Sequence, residues 1–168
     1  AAEGYHIISL INKKFFKQGL AFEISKKSRK ILKKNAKINK ISNKIKIFGS
    51  ANFLSLVNIL KDINPRKVFF LVDIEGKEYD LFNNDFCKKF SKSTFIIEEH
   101  PFNINNKKKI NNFIKNLKKY YNLEILKDVS KNPFNFDILN KYNDDEKYLM
   151  MSEGRPESMR WLILRPKK

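Results

Sequence analysis

The stretch Val68-Phe69-Phe70-Leu71-Val72-Asp73-Ile74-Glu75-Gly76-Lys77-Glu78 decides the fold. Its five consecutive apolar residues, with no polar alternation, predict a strand buried on both faces in the middle of a parallel sheet. Asp73 stands at the carboxyl end of that strand, and Gly76 supplies a turn before the next element. Ligands of open α/β sheets bind beyond the carboxyl ends of the strands. Three carboxylates gathered there, Asp73, Glu75 and Glu78, therefore mark a candidate site. Glu75 and Glu78 also read as helix N-terminal acids favoured by the macrodipole. Asp73, which ends a buried strand, suits that reading less well.

Working outward, strands and helices alternate. Apolar spacing predicts helices over residues 5–16, 26–39, 53–63, 77–90 and 107–121. Ser25 is the expected N-cap of the second, with Ile31, Leu32 and Ala36 on its inner face. Short apolar runs predict strands over 20–22, 44–48, 94–97 and 123–126, with 148–151 and 161–164 as late strand candidates. Residues 128–145, polar and Asn-rich, read as a loop. The repeated strand–helix unit implies one α/β domain over residues 1–168: a mostly parallel sheet with helices on both faces.

Composition bounds the rest. The 168 residues carry 42% hydrophobic and 13% aromatic side chains, enough for a real core. No apolar run approaches the roughly 20 residues of a membrane span. The single Cys87 cannot form an internal disulfide, which fits a reducing, cytoplasmic setting. The net charge is +17. It suits an anionic partner such as nucleic acid. Lysine dominates over only five arginines, however, and Asn, Ile and Phe are also abundant, a bias that A/T-rich codons produce without any partner. A nucleic-acid binder is expected to use more arginine, so this reading is carried as the alternative.

Two further constellations carry chemistry. Gly4 is followed 19 residues on by Glu23, at the end of the next strand. A glycine turn with an acid about 20 residues beyond suits the ribose hydroxyls of a nucleotide-like cofactor. Glu23 could equally be a solvated charge facing neighbouring lysines. Glu98-Glu99-His100 ends another buried strand, and an imidazole beside carboxylates is a general-base arrangement at neutral pH. It is also a poor predictor of a metal, and no metal ligands are assigned from the sequence.

The block 70–78, followed by Leu81 and by Phe95-Ile96-Ile97-Glu98-Glu99-His100, resembles FkbM-type S-adenosylmethionine-dependent methyltransferases, with their Asp-x-Glu-Gly-x-Glu and Glu-x-His strand ends. Ala1-Ala2-Glu3-Gly4-Tyr5 is similar to the end of a cofactor loop, and Ala21-Phe22-Glu23 to the ribose-binding segment. Glu153-Gly154-Arg155-Pro156, with Met159 and residues 161–164, is similar to a closing segment. The resemblance implies a Rossmann-like class I methyltransferase that lacks its first strand, an N-terminally truncated chain. It implies S-adenosylmethionine as cofactor, with Glu3, Gly4 and Tyr5 at its methionine end, Glu23 at the ribose, and Ile24, Ser50 and Ala51 around the adenine. Asp73 would face the methyl group or the acceptor. His100 would be the base, oriented by Glu75 or Glu98. The expected acceptor is a hydroxyl of a sugar or of another small or polymer-linked molecule, with a basic nucleic-acid-binding domain or an RNA methyltransferase as the alternative. Arg155 could hold an anionic acceptor, whereas Arg160 reads as a surface charge.

Overall fold

The computed structural model describes residues 1–101, 106–127, 132–152 and 159–168. They form two compact units, Ala1–Asp62 and Ile63–Lys168.

In the first unit β1 (Gly19–Phe22) and β2 (Ile45–Phe48) pair in parallel, Gly19 opposite Ile45 and Phe22 opposite Phe48. The connection is α2 (Lys26–Ile38), capped as the sequence predicts: the Ser25 hydroxyl accepts from the Ser28 N–H. Leu32 and Ala36 are buried on its inner face while its lysines face water. Together with Ala21, Ile41 and Ile45 they meet Ile8 and Ile11 of α1 (Tyr5–Asn12) in one core. Each large aliphatic side chain removed from water there contributes about 1.5–3 kcal/mol. Gly4, the N-cap of α1, has φ +91°, and a Cβ on it would stand 2.9 Å from Leu32 Cγ. Glycine is needed at this position for both its backbone and its size. A capping box of Asn52 and Ser55 starts α3 (Phe53–Ile59). The helix ends at Ile59, short of residue 63, with Leu60 as its C-cap.

The second unit holds a four-stranded sheet of order β3-β4-β6-β5, with β3 (Phe69–Val72), β4 (Thr94–Glu99), β5 (Tyr121–Lys127) and β6 (Arg160–Pro166). β3 runs parallel to β4, and β6 runs antiparallel to both β4 and β5. Three of the four strands thus point one way. The strand over 68–72 is not buried on both faces as expected. It stands at the end of this sheet's order, and only Val72 of β3 is fully buried.

Further expectations change, beginning with the helix over 5–16, which ends at Asn12. The helix over 77–90 is split into α4 (Glu78–Leu81) and α5 (Asn84–Lys89). Asn83 turns extended between them, and its side chain accepts from the Phe86 N–H. Residues 148–151 belong to α7 (Asp144–Met151), not to a strand. Asn143 and Glu146 form its capping box, and Asp144, Asp145 and Glu146 fill its first turn, where the dipole favours acids. Between β4 and β5 lies α6 (Lys107–Tyr120), with Phe113 and Leu117 buried. The core beneath is aromatic. Phe70 stacks on Phe95 with ring centroids 4.5 Å apart, and Phe82, Phe86, Phe90 and Tyr121 pack around the pair.

Candidate functional site

Val72 lies opposite Ile97 in the parallel ladder, so the chain leaves β3 and β4 at the same edge of the sheet. Asp73 and Glu75 follow β3, and His100 follows β4. The structure brings all three together. His100 Nε2 stands 3.4 Å from Glu75 Oε2 and 3.6 Å from Asp73 Oδ1. One ligand atom from each of the three lies within 4.8 Å of the others, so the trio could hold a metal ion. The imidazole is buried, with 4% of its side chain exposed, while the two carboxylates reach solvent. Glu75 adopts φ +53°, a left-handed conformation that a non-glycine residue rarely takes, and Gly76 follows at +90°.

Glu78 has a different role from that of a helix N-terminal acid. It is fully buried, and its carboxylate folds back under the turn. Oε2 accepts from the Gly76 N–H at 2.9 Å and Oε1 from the His100 N–H at 2.8 Å. The same Oε1 lies 3.4 Å from His100 Nδ1. Glu78 thus ties the end of β4 to the turn after β3, and it is the carboxylate that faces the Nδ1 side of the imidazole. The sequence signalled it only as the last acid of its block.

Behind the turn sits a second buried carboxylate. Glu99 accepts from the Tyr79 hydroxyl at 2.9 Å and from Nη2 of Arg160 at 2.9 Å, with Arg160 Nε on its other oxygen. Burial and the neighbouring Glu99 charge push the Tyr79 hydroxyl up, and the bond to Glu99 raises Arg160. Arg160 is therefore not a surface charge: its guanidinium neutralises a carboxylate that would otherwise be stranded in the interior. Nothing in the sequence spacing of Tyr79, Glu99 and Arg160 signals this trio. Residues 153–156, including Arg155, lie outside the described residues.

In the first unit Glu23 and Ile24 follow β1, and Ser50 and Ala51 follow β2, at the carboxyl end of the pair, while Gly4 lies against Leu32. The Glu23 N–H donates to Phe48 O, which sets Glu23-Ile24 beside Gly49-Ser50-Ala51. Glu23 forms no ion pair with a lysine among the described residues. Its Oε1 accepts from the Ser25 N–H and its Oε2 from the Ala2 N–H, both at 2.8 Å, with the Ala1 ammonium 3.1 Å from Oε2. Burial alone would raise this carboxyl. The backbone N–H groups of Ser25 and Ala2, with the ammonium, outweigh it and hold the group at about 2. Glu3 is tied by its carbonyl to the Asn35 amide. Tyr5, Ile24, Ser50 and Ala51 are exposed.

No protein-family model matches the sequence, and a search of curated proteins gives no match. Solved structures do match. The chain is similar to the O-methyltransferase from Bacillus cereus in complex with SAH, with a TM-score of 0.56, 12% identity and coverage of 88% of this chain and 63% of that one. It is also similar to the methyltransferase domain of bacterial CtHen1, with a TM-score of 0.51, 15% identity and coverage of 98% of this chain and 86% of that one. The fold is thus a Rossmann-like α/β fold of the methyltransferase kind. The chain spans 63% of the length of the O-methyltransferase it matches. No helix among the described residues is long and apolar enough to cross a membrane.

Proposed function

We propose that this chain is a methyltransferase domain of the FkbM type, one domain over residues 1–168, which moves a methyl group from S-adenosylmethionine to a hydroxyl oxygen of a sugar or of another small or polymer-linked acceptor. The observation that carries this reading is the meeting of Asp73, Glu75 and His100 at the carboxyl ends of β3 and β4 on a methyltransferase fold.

The residues of the first unit fit the cofactor. A carboxylate offers about four acceptor sites. The backbone N–H groups of Ala2 and Ser25 take one on each oxygen of Glu23, and ribose hydroxyls would take others. Exposed Ile24, Ser50 and Ala51 would flank the adenine, and Glu3, Gly4 and Tyr5 the methionine end. The sulfonium supplies an already activated methyl group, which leaves positioning and proton removal to the protein. Asp73, Glu75 and His100 would receive the acceptor hydroxyl and dispose of its proton. Titration of the chain with S-adenosylhomocysteine tests the reading. Binding should be measurable and at least tenfold weaker in Glu23→Ala, and a chain that binds none of it would not be a methyltransferase.

One observation favours a polyanionic partner. No acid occurs from Ile24 to Lys61, and Lys26, Lys27, Lys30, Lys33, Lys34 and Lys37 form a continuous exposed band along α2. An acceptor carried on nucleic acid would then bind with an affinity that falls steeply as salt rises. Binding that is flat with salt would leave the neutral glycan or small molecule.

A further inference from the structure

We propose that Asp73, Glu75 and His100 form a site for one divalent first-row transition ion, bound through Oδ1, Oε2 and Nε2. The argument starts from spacing. A good N–H···O hydrogen bond spans about 2.7–3.2 Å. The Nε2 contacts, at 3.4 and 3.6 Å, are wider than that to both carboxylates at once. A tetrahedral ion with ligands at about 2.1 Å holds its donor atoms about 3.4 Å apart. The two Nε2 separations are close to that spacing, and all three donor atoms lie within 4.8 Å of one another, near enough to converge on one ion.

The surroundings agree with a metal site. The imidazole is fixed by burial, and its Nδ1 side faces the Glu78 carboxylate at 3.4 Å. Ligating histidines commonly carry a carboxylate behind them; at 3.4 Å Glu78 stands there as an electrostatic neighbour of Nδ1, beyond the hydrogen-bond range given above. Glu78 is itself held by the Gly76 and His100 N–H groups, so this neighbour is rigid. Asp73 and Glu75 are 49% and 77% exposed, which leaves the outer side of the ion open to water or to an acceptor oxygen. One imidazole with two carboxylates suits manganese, iron, cobalt or zinc better than calcium or magnesium, which prefer oxygen alone. At this site the ion would acidify the acceptor hydroxyl, whose proton would pass to water on the open side where Asp73 and Glu75 are exposed, and His100 would serve as ligand in place of the base role given it above.

The role in methyl transfer rests on the function proposed above, but ion binding does not. It is measured with neither cofactor nor acceptor, so its failure leaves methyl transfer standing. Manganese is titrated into the chain, the free ion is followed by electron paramagnetic resonance, and circular dichroism monitors the fold. We expect one ion per chain. Asp73→Asn and Glu75→Gln, both at exposed side chains, should each weaken binding at least tenfold with the fold intact, and His100→Gln should abolish it. Asp80→Asn, an exposed acid of the same unit paired with Lys109, should change nothing. Absence of stoichiometric manganese binding, or binding that Asp73→Asn and Glu75→Gln leave unaltered, would overturn the site and leave an ion pair of His100 with its acids.

Discussion

Glu99 has no exposed surface, and its charge is balanced by Arg160 and a hydroxyl from Tyr79. Removing one partner of such a pair leaves an uncompensated charge in the interior, which costs more than the intact pair contributes. Arg160→Met should therefore destabilise the chain by roughly 3 kcal/mol at pH 7 in urea denaturation. Adding Glu99→Gln should restore most of it, since the neutral amide can still accept from Tyr79. If the double variant is no more stable than Arg160→Met, the charge is not what the arginine serves.

Glu23 makes the complementary case. Its folded carboxyl sits at about 2, below its unfolded value, so its contribution is fully present above pH 5 and is lost as pH falls toward 2. After allowance for solvent, Glu23→Gln should cost about 1–2 kcal/mol at pH 7 and progressively less as pH falls through about 2, read from paired thermal melts. A penalty that stays constant with pH would mean that the charge plays no part. At this scale the sequence is legible where a residue type has few uses. Asp73, Glu75 and His100 could be picked out because acids and an imidazole at strand ends are unusual in a lysine-rich chain. Glu78 and Arg160 could not be placed, because a carboxylate facing backbone N–H groups and a guanidinium on a distant strand leave no mark in local spacing.

Among the elements, legibility follows signal length. The 13 residues of α2 repeat their apolar period several times behind a serine cap, and the structure keeps both ends within a residue or so. Tyr148-Leu149-Met150-Met151 is four residues long, and a run that short is compatible with either state. What decides it lies upstream, in the capping box at Asn143. The break at Asn83 is a similar case: the apolar period runs on through it, and only the side-chain bond to the Phe86 N–H divides α4 from α5. The division matters because it seats Cys87 of α5 under Phe82, whose carbonyl accepts from the thiol at 3.6 Å. Burial pushes that thiol up to about 12. A thiol so placed holds almost no thiolate at neutral pH. A thiol reagent at pH 8 should therefore modify Cys87 only as fast as the chain unfolds, with complete modification in urea. Rapid labelling of the folded chain would show that α5 opens locally.

For the whole molecule the alternation of strand and helix was legible, and so was the predominance of one strand direction. The position of β3 was not, because an apolar pentapeptide reads the same at the middle of a sheet and at its end. Charge is the other property of this scale. Ala1–Asp62 holds 14 lysines and arginines against three acids, Glu3, Glu23 and Asp62. The surface ion pairs described, such as Lys109–Asp80 and Arg165–Glu124, are exposed and each contribute about 1 kcal/mol or less. Salt weakens such pairs and also screens repulsion among like charges. With 35 basic residues against 18 acidic ones, repulsion is the larger quantity, and it acts against the compact state. Raising sodium chloride from about 20 to 200 mM shortens the screening length from roughly 20 to 7 Å. The melting temperature should then rise by a few degrees. Sulfate at equal ionic strength should raise it further if the α2 band binds anions, and by no more than chloride if the band is only a solvated face. A melting temperature that falls as salt is added would mean that the ion pairs outweigh the repulsion, contrary to the charge count.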